Sequence, residues 1–150
     1  MISIREATSG DFSALIGIWR RSVESTHDFL TPAEIDAIEH DVAKYLPLMS
    51  DLRVAENGTQ PVGFIAIEGD TVEMLFIDTA SQGRGIGGTL LASVSTGHKV
   101  IRVDVNEQNP SGHAFYLAKG FVQVGRSETD GEGRAFPILH LERTAAQTTF

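Results

Sequence analysis

The sequence contains no cysteine, which excludes disulfides, a zinc–thiolate centre and a thiol nucleophile. No apolar run approaches the ~18 residues that a membrane helix needs. The opening residues, Met1 to Glu6, carry neither the basic flank nor the long apolar stretch of a secretion signal, so neither a span nor an export signal is expected. Positive charge is scarce: Lys+Arg 12 against Asp+Glu 20 leaves a net charge of -8, with a sequence pI near 5.0. Nucleic acid is thereby disfavoured as the main partner, because phosphate-backbone binding relies on clustered Lys and Arg. A cationic or neutral small molecule fits that balance better. What is present is a hydrophobic share of 41% in 150 residues, enough for a packed core and too short a chain for two ordinary domains. A soluble, cytoplasmic, single-domain protein is the expectation.

Residues 2 to 6 read as a short strand. Thr8 or Ser9 is a candidate cap for a helix in which Phe12, Leu15, Ile16, Trp19 and Val23 recur at helical spacing. The stretch Ser25 to Leu30 interrupts it. Thr31-Pro32-Ala33-Glu34 then has the form of a capping box with proline just inside a second helix. Ile35, Ile38, Val42 and Tyr45 face inward there, and the helix is expected to stop near Pro47. Strand patterns follow at 52–56, 61–67 and 72–78, joined by Asn57-Gly58 and Glu68-Gly69-Asp70 into an antiparallel meander. A glycine-rich loop leads to a helix bearing Ile86, Leu90, Leu91 and Val94. Residues 100–105 form a strand that the intervening helix should make parallel to 72–78. A helix over 111–119 ends at Gly120, strands near 121–126 and 136–142 close the sheet, and the tail 144–150 is expected to fray.

Gln82-Gly83-Arg84-Gly85-Ile86-Gly87-Gly88 lies at the junction between a strand and a helix. Glycine lets the backbone bend tightly and bring N–H groups against an anion, and the following helix adds its positive end. A phosphate site is the reading this supports, against a turn chosen for conformation alone. Gly83, Gly85 and Gly88 formally satisfy G-x-G-x-x-G, with Asp104 downstream, so a nucleotide-linked oxidoreductase is one alternative. Placement disfavours it: a meander precedes the loop and too little chain follows for further βαβ units. No lysine follows the glycines, which excludes a Walker-type loop.

Gln82-x-x-Gly85-x-Gly87 resembles the acyl-CoA pyrophosphate loop of the Gcn5-related N-acetyltransferase (GNAT) family. Downstream, Asn109, Ala114-Phe115-Tyr116 and Gly120-Phe121 are similar to that family's second signature. The order of elements also follows its fold over residues 1–143. Segments 21–30 and 106–109 look like one bacterial subgroup of the family. The resemblance implies an α/β fold of α+β type, with a mixed, mostly antiparallel sheet, helices on both faces and a splayed parallel strand pair. It implies transfer of an acetyl group from acetyl-CoA to a primary amine by direct attack, without a covalent enzyme intermediate.

Carried over by position, the backbone of Leu75 and Ile77 would face the pantetheine arm. The N–H groups of Gly83 to Gly88, Ile86 among them, would hold the pyrophosphate beside Gln82. Arg84 would either contact a phosphate or remain a solvated loop arginine. Asn109 would contact the arm and also start a helix. Tyr116 matches the general acid that protonates the departing thiolate. Two groups are candidates for the base. Glu73 alternates with Leu75 and Ile77 along its strand. His27 lies in the helix–helix loop and has as its alternative a hydrogen bond to Asp28. The remaining histidines, His40, His98, His113 and His140, show no metal-ligand spacing. A non-catalytic acyl-CoA sensor is the other alternative. The acceptor, from small amine to peptide lysine, and the choice of monomer or homodimer stay open.

Overall fold

The computed structural model describes residues 1–144. The strands are β1 (Ile2–Glu6), β2 (Asp51–Asn57), β3 (Gln60–Glu68), β4 (Thr71–Ile77), β5 (Val100–Asn106), β6 (Val122–Ser127) and β7 (Ile138–Thr144). They pair in the order β1-β2-β3-β4-β5-β7-β6. The helices are α1 (Phe12–Thr26), α2 (Pro32–Tyr45), α3 (Ile86–Ser95) and α4 (Pro110–Ala118). The sheet is mixed and mostly antiparallel, as expected. Its parallel pairing joins β4 to β5 at Thr71↔Arg102 and Val72↔Val103. The chain divides into two compact units: Met1–Glu68 with Glu73–Thr96, and Gly69–Val72 with the described residues from Gly97 onward.

In the first unit both sheet faces are covered. Leu15, Ile18, Trp19 and Val23 of α1 and Ile35 and Val42 of α2 form one cluster with Val54 and Phe64, and Met74 and Phe76 of β4 pack against it. Strand alternation turns Gly63 and Ile77 to the opposite face. There a Cβ on Gly63 would lie 2.8 Å from Ile77 Cδ1 and 3.5 Å from Leu90 Cδ1 of α3. Helix α2 starts as its sequence dictates: Glu34 N–H donates to Thr31 Oγ1 at 3.1 Å, and Thr31 N–H donates to the Glu34 carboxylate at 2.8 Å.

Three local expectations are corrected. Thr8 does not open α1 directly; it precedes a 3₁₀ turn over Ser9–Asp11. Asp11 dominates that corner, accepting from Thr8 N–H at 2.7 Å and from both terminal nitrogens of Arg5 at 2.9 Å. Helix α1 runs through Ser25 to Thr26, because both hydroxyls donate to the Ser22 carbonyl at 2.9 Å and satisfy the helix end. In the second unit β7 lies between β5 and β6, and Thr144 belongs to β7. The rest of the anticipated tail lies outside the described residues. Alternation puts Ile101, Val103 and Val105 of β5 and Leu139 and Leu141 of β7 in the interior, where Phe121 is also buried.

Candidate active site

The residues singled out in the sequence fall in both units. His27, Glu73, Leu75, Ile77 and the glycine loop belong to the first; Asn109 and Tyr116 belong to the second.

Loop 82–88 connects β4 to α3 through a short 3₁₀ turn. Gly83 and Gly85 adopt left-handed backbone at φ 80° and 75°, a region that costs an L-residue about 1–2 kcal/mol. Gly85 is the N-cap of α3 and offers no side-chain cap; no acidic residue stands in the first turn. The first bond of the helix runs from Thr89 N–H to the Gly85 carbonyl at 3.1 Å. The N–H groups of Ile86, Gly87 and Gly88 therefore point out of the helix without an intrahelical acceptor. Gln82 folds back, donating from Nε2 to the Ile77 carbonyl at 3.4 Å. Arg84 is exposed, and it is the one arginine among the described residues with no hydrogen bond or ion pair. Main-chain donors without helical acceptors, a helix dipole and an unpaired guanidinium give this loop the chemistry to receive an anion.

The loop has an anchor that sequence reasoning missed. Asp78, directly after β4, is buried and receives Arg21 Nε and Nη2, each at 2.9 Å. This bidentate pair holds the Asp78 carboxyl below its ordinary range, with burial opposing. Gly17, one turn earlier on α1, makes room: a Cβ there would stand 3.2 Å from Arg21 Nη1. The i,i+4 spacing of Gly17 and Arg21 was the available signal, but nothing in the sequence names Asp78 as the partner.

On β4, Glu73 is exposed while Leu75 and Ile77 are half-buried. His27 caps the end of α1, its N–H donating to the Val23 carbonyl at 2.8 Å. Its Nδ1 lies 2.7 Å from Thr26 Oγ1, and its ring packs 5.3 Å from Phe29. The expected hydrogen bond to Asp28 is replaced by the one to Thr26. Burial lowers the His27 pKa, opposed by the charge of Asp28, so the ring is neutral and basic near pH 7.

In the second unit Asn109 is the N-cap of α4. Its Oδ1 accepts from Gly112 N–H at 3.2 Å and from Ser111 Oγ at 2.9 Å, leaving the amide's donor end outside the cap. Tyr116 of α4 is 7% exposed. Its ring meets Phe115 and Phe121 edge-on at 5.0 and 5.2 Å. Burial raises its pKa above that of a free phenol, which keeps the hydroxyl protonated. Asp104, the acid that a dinucleotide site would require, is engaged instead by His140 Nδ1 at 2.6 Å.

Residues 26–138 match the family model of the acetyltransferase (GNAT) domain. The chain belongs to the GNAT acetyltransferase family. It is 39% identical over 141 residues to the peptidyl-lysine N-acetyltransferase YjaB of Salmonella typhimurium, covering 94% of this chain and 97% of that protein. Identity to YjaB of Escherichia coli is 38% over 147 residues, covering 97% and 99%. The solution structure of apo YjaB from Escherichia coli superposes with a TM-score of 0.88 over 95% of this chain and 97% of that one. The bacterial subgroup suggested by segments 21–30 and 106–109 is thus that of YjaB. As a GNAT enzyme, the protein transfers an acetyl group from acetyl-CoA to an amine. No helix among the described residues is long and apolar enough to cross a membrane.

Proposed function

We propose that this GNAT enzyme acetylates the side-chain amine of lysine in a peptide or protein. The observation that carries its use of acetyl-CoA is the uncapped, glycine-bent start of α3 beside the unpaired Arg84. In this reading the N–H groups of Gly83 to Gly88 and the Arg84 guanidinium receive the pyrophosphate, with Gln82 closing the loop against β4. The Arg21–Asp78 pair keeps the loop's first residues in position. Leu75 and Ile77 lie beyond the residues of β4 that pair with β5, and their main-chain groups bind the pantetheine arm. Backbone amides are rigid and polarise a thioester carbonyl as charge develops on its oxygen. In the second unit, the family resemblance gives the amide donor of Asn109 a contact to pantetheine.

The ammonium form of lysine has no lone pair to attack with. Glu73 takes its proton, directly or through water; His27 is the second candidate for that role. The free amine then bonds to the acyl carbon, the carbon–sulfur bond breaks, and Tyr116 donates to the departing sulfur. The YjaB relatives' designation as peptidyl-lysine acetyltransferases supports the choice of acceptor.

The test is thiol release from acetyl-CoA with an N-terminally blocked lysine peptide, beside the same peptide carrying norleucine for lysine. Acetylation of the lysine peptide alone is expected. Equal thiol release with both peptides would overturn the reading. The base is assigned by kcat/KM against pH: Glu73→Gln should be slow at neutral pH and recover as more amine arrives unprotonated. If His27 were the base, the wild-type rate would rise through a limb below the ordinary histidine value of about 6.5, and His27→Ala would remove that limb.

A further inference from the structure

The second unit holds a serine, a histidine and a carboxylate in line across three strands, apart from every residue assigned above. Asp104 on β5 stands opposite His140 on β7, and Ser127 ends β6 opposite Ile138, two residues before His140. Asp104 Oδ1 is 2.6 Å from His140 Nδ1, and His140 Nε2 is 2.6 Å from Ser127 Oγ. A carboxylate only accepts, so Nδ1 carries the hydrogen; with the ring neutral, Nε2 is the acceptor and the Ser127 hydroxyl donates to it. The order of donors is that of a nucleophile, its base and the group that orients the base.

The backbone provides for this arrangement. Gly125 is the register partner of His140, and a Cβ on it would touch the ring, 3.5 Å from Cδ2. The imidazole thus lies across β6 in space that a larger residue would occupy. The three side chains share the sheet face opposite the buried Val103, Leu139 and Leu141. That face is open: the His140 and Asp104 side chains are 36% and 58% exposed. Strand β6 is the last in the strand order among the described residues, and an edge strand presents main-chain N–H groups with no ladder partner.

We propose that Ser127 is a second, independent acyl acceptor, activated by His140 and acylated by activated acyl donors such as aryl esters and thioesters. Ser127 Oγ bonds to the acyl carbon while its proton passes to His140 Nε2. The bond from that carbon to the leaving oxygen or sulfur breaks, the leaving group departs with the proton from His140, and an O-acyl serine remains. Asp104 is a positioning residue that holds the imidazole in the required tautomer.

The experiment treats the whole protein with para-nitrophenyl acetate, follows release of the nitrophenol, and locates the acetyl group by peptide mass spectrometry. Acetyl-CoA replaces the ester in a second arm. Wild type should carry acetyl on Ser127, and Ser127→Ala should lose that mark while retaining acetyl transfer to the lysine peptide. His140→Gln should acylate Ser127 about 10²-fold more slowly. Asp104→Asn should slow acylation at an unchanged thermal midpoint, and Asp104→Glu should recover it; a purely structural cross-strand contact would shift the midpoint and leave Ser127 unmodified in every variant. Acetyl found only on lysines, or Ser127 acylated equally fast in His140→Gln, would overturn the proposal.

Discussion

Tyr116 illustrates how burial alters a proton donor. Its motif made the phenol a candidate acid at the ordinary value of about 10. Inside the aromatic contacts with Phe115 and Phe121 the tyrosinate is penalised and the pKa rises. The hydroxyl therefore stays protonated through alkaline conditions, and no fall in kcat near pH 10 should come from its ionisation. Tyr116→Phe keeps the ring packing and removes the proton, so kcat should drop by about 10²–10⁴-fold while CoA affinity by calorimetry holds. Undiminished turnover would return Tyr116 to a packing role. The signature around Asn109 and Tyr116 made both residues legible in the sequence. The isolation of Arg84 was not, because it becomes visible only once the other arginines among the described residues have found their partners.

Among the elements, helix caps and tight turns were the most legible parts, since their chemistry is local: Thr31 to Glu34 and the hairpin at Gly58 formed as the sequence dictates. The errors came where an ion pair from the preceding strand or a spare hydroxyl intervened, as at Asp11 and at the end of α1. The loop yields two separable predictions. Gly85→Ala forces a Cβ into left-handed backbone and should cost about 1–2 kcal/mol of stability by denaturant unfolding. Gly87→Val lies in the first turn of α3; it should leave the fold intact and weaken CoA binding, because the side chain crowds the N–H groups offered to phosphate. Unchanged CoA affinity would remove the phosphate site. The Arg5–Asp11 pair governs acid stability. Arg5 holds the Asp11 pKa far below the ordinary carboxylate value, so the folded form binds its proton less readily than the unfolded chain. The stabilisation is complete above the unfolded value of about 3.9 and is lost as pH falls toward the folded one. Asp11→Asn should therefore lower stability by about 2 kcal/mol at pH 7, with the difference from wild type shrinking in acid; a pH-independent difference would contradict that origin.

For the molecule as a whole, the order of strand and helix patterns carried the family and, with it, the mixed, mostly antiparallel sheet. The insertion of β7 between β5 and β6 was beyond local reading, because strand order is set by long-range pairing and not by any one strand's pattern. The net charge of -8 favours a cationic acceptor, so KM for a lysine peptide should rise with salt as screening shortens the reach of that field. The central claim is direct attack of the lysine amine on the acetyl thioester. Initial rates with acetyl-CoA and the lysine peptide varied together test it most directly. Direct transfer requires both substrates bound at once, and the double-reciprocal lines should intersect. Parallel lines, the pattern of an acetyl group first parked on the enzyme, would contradict the account.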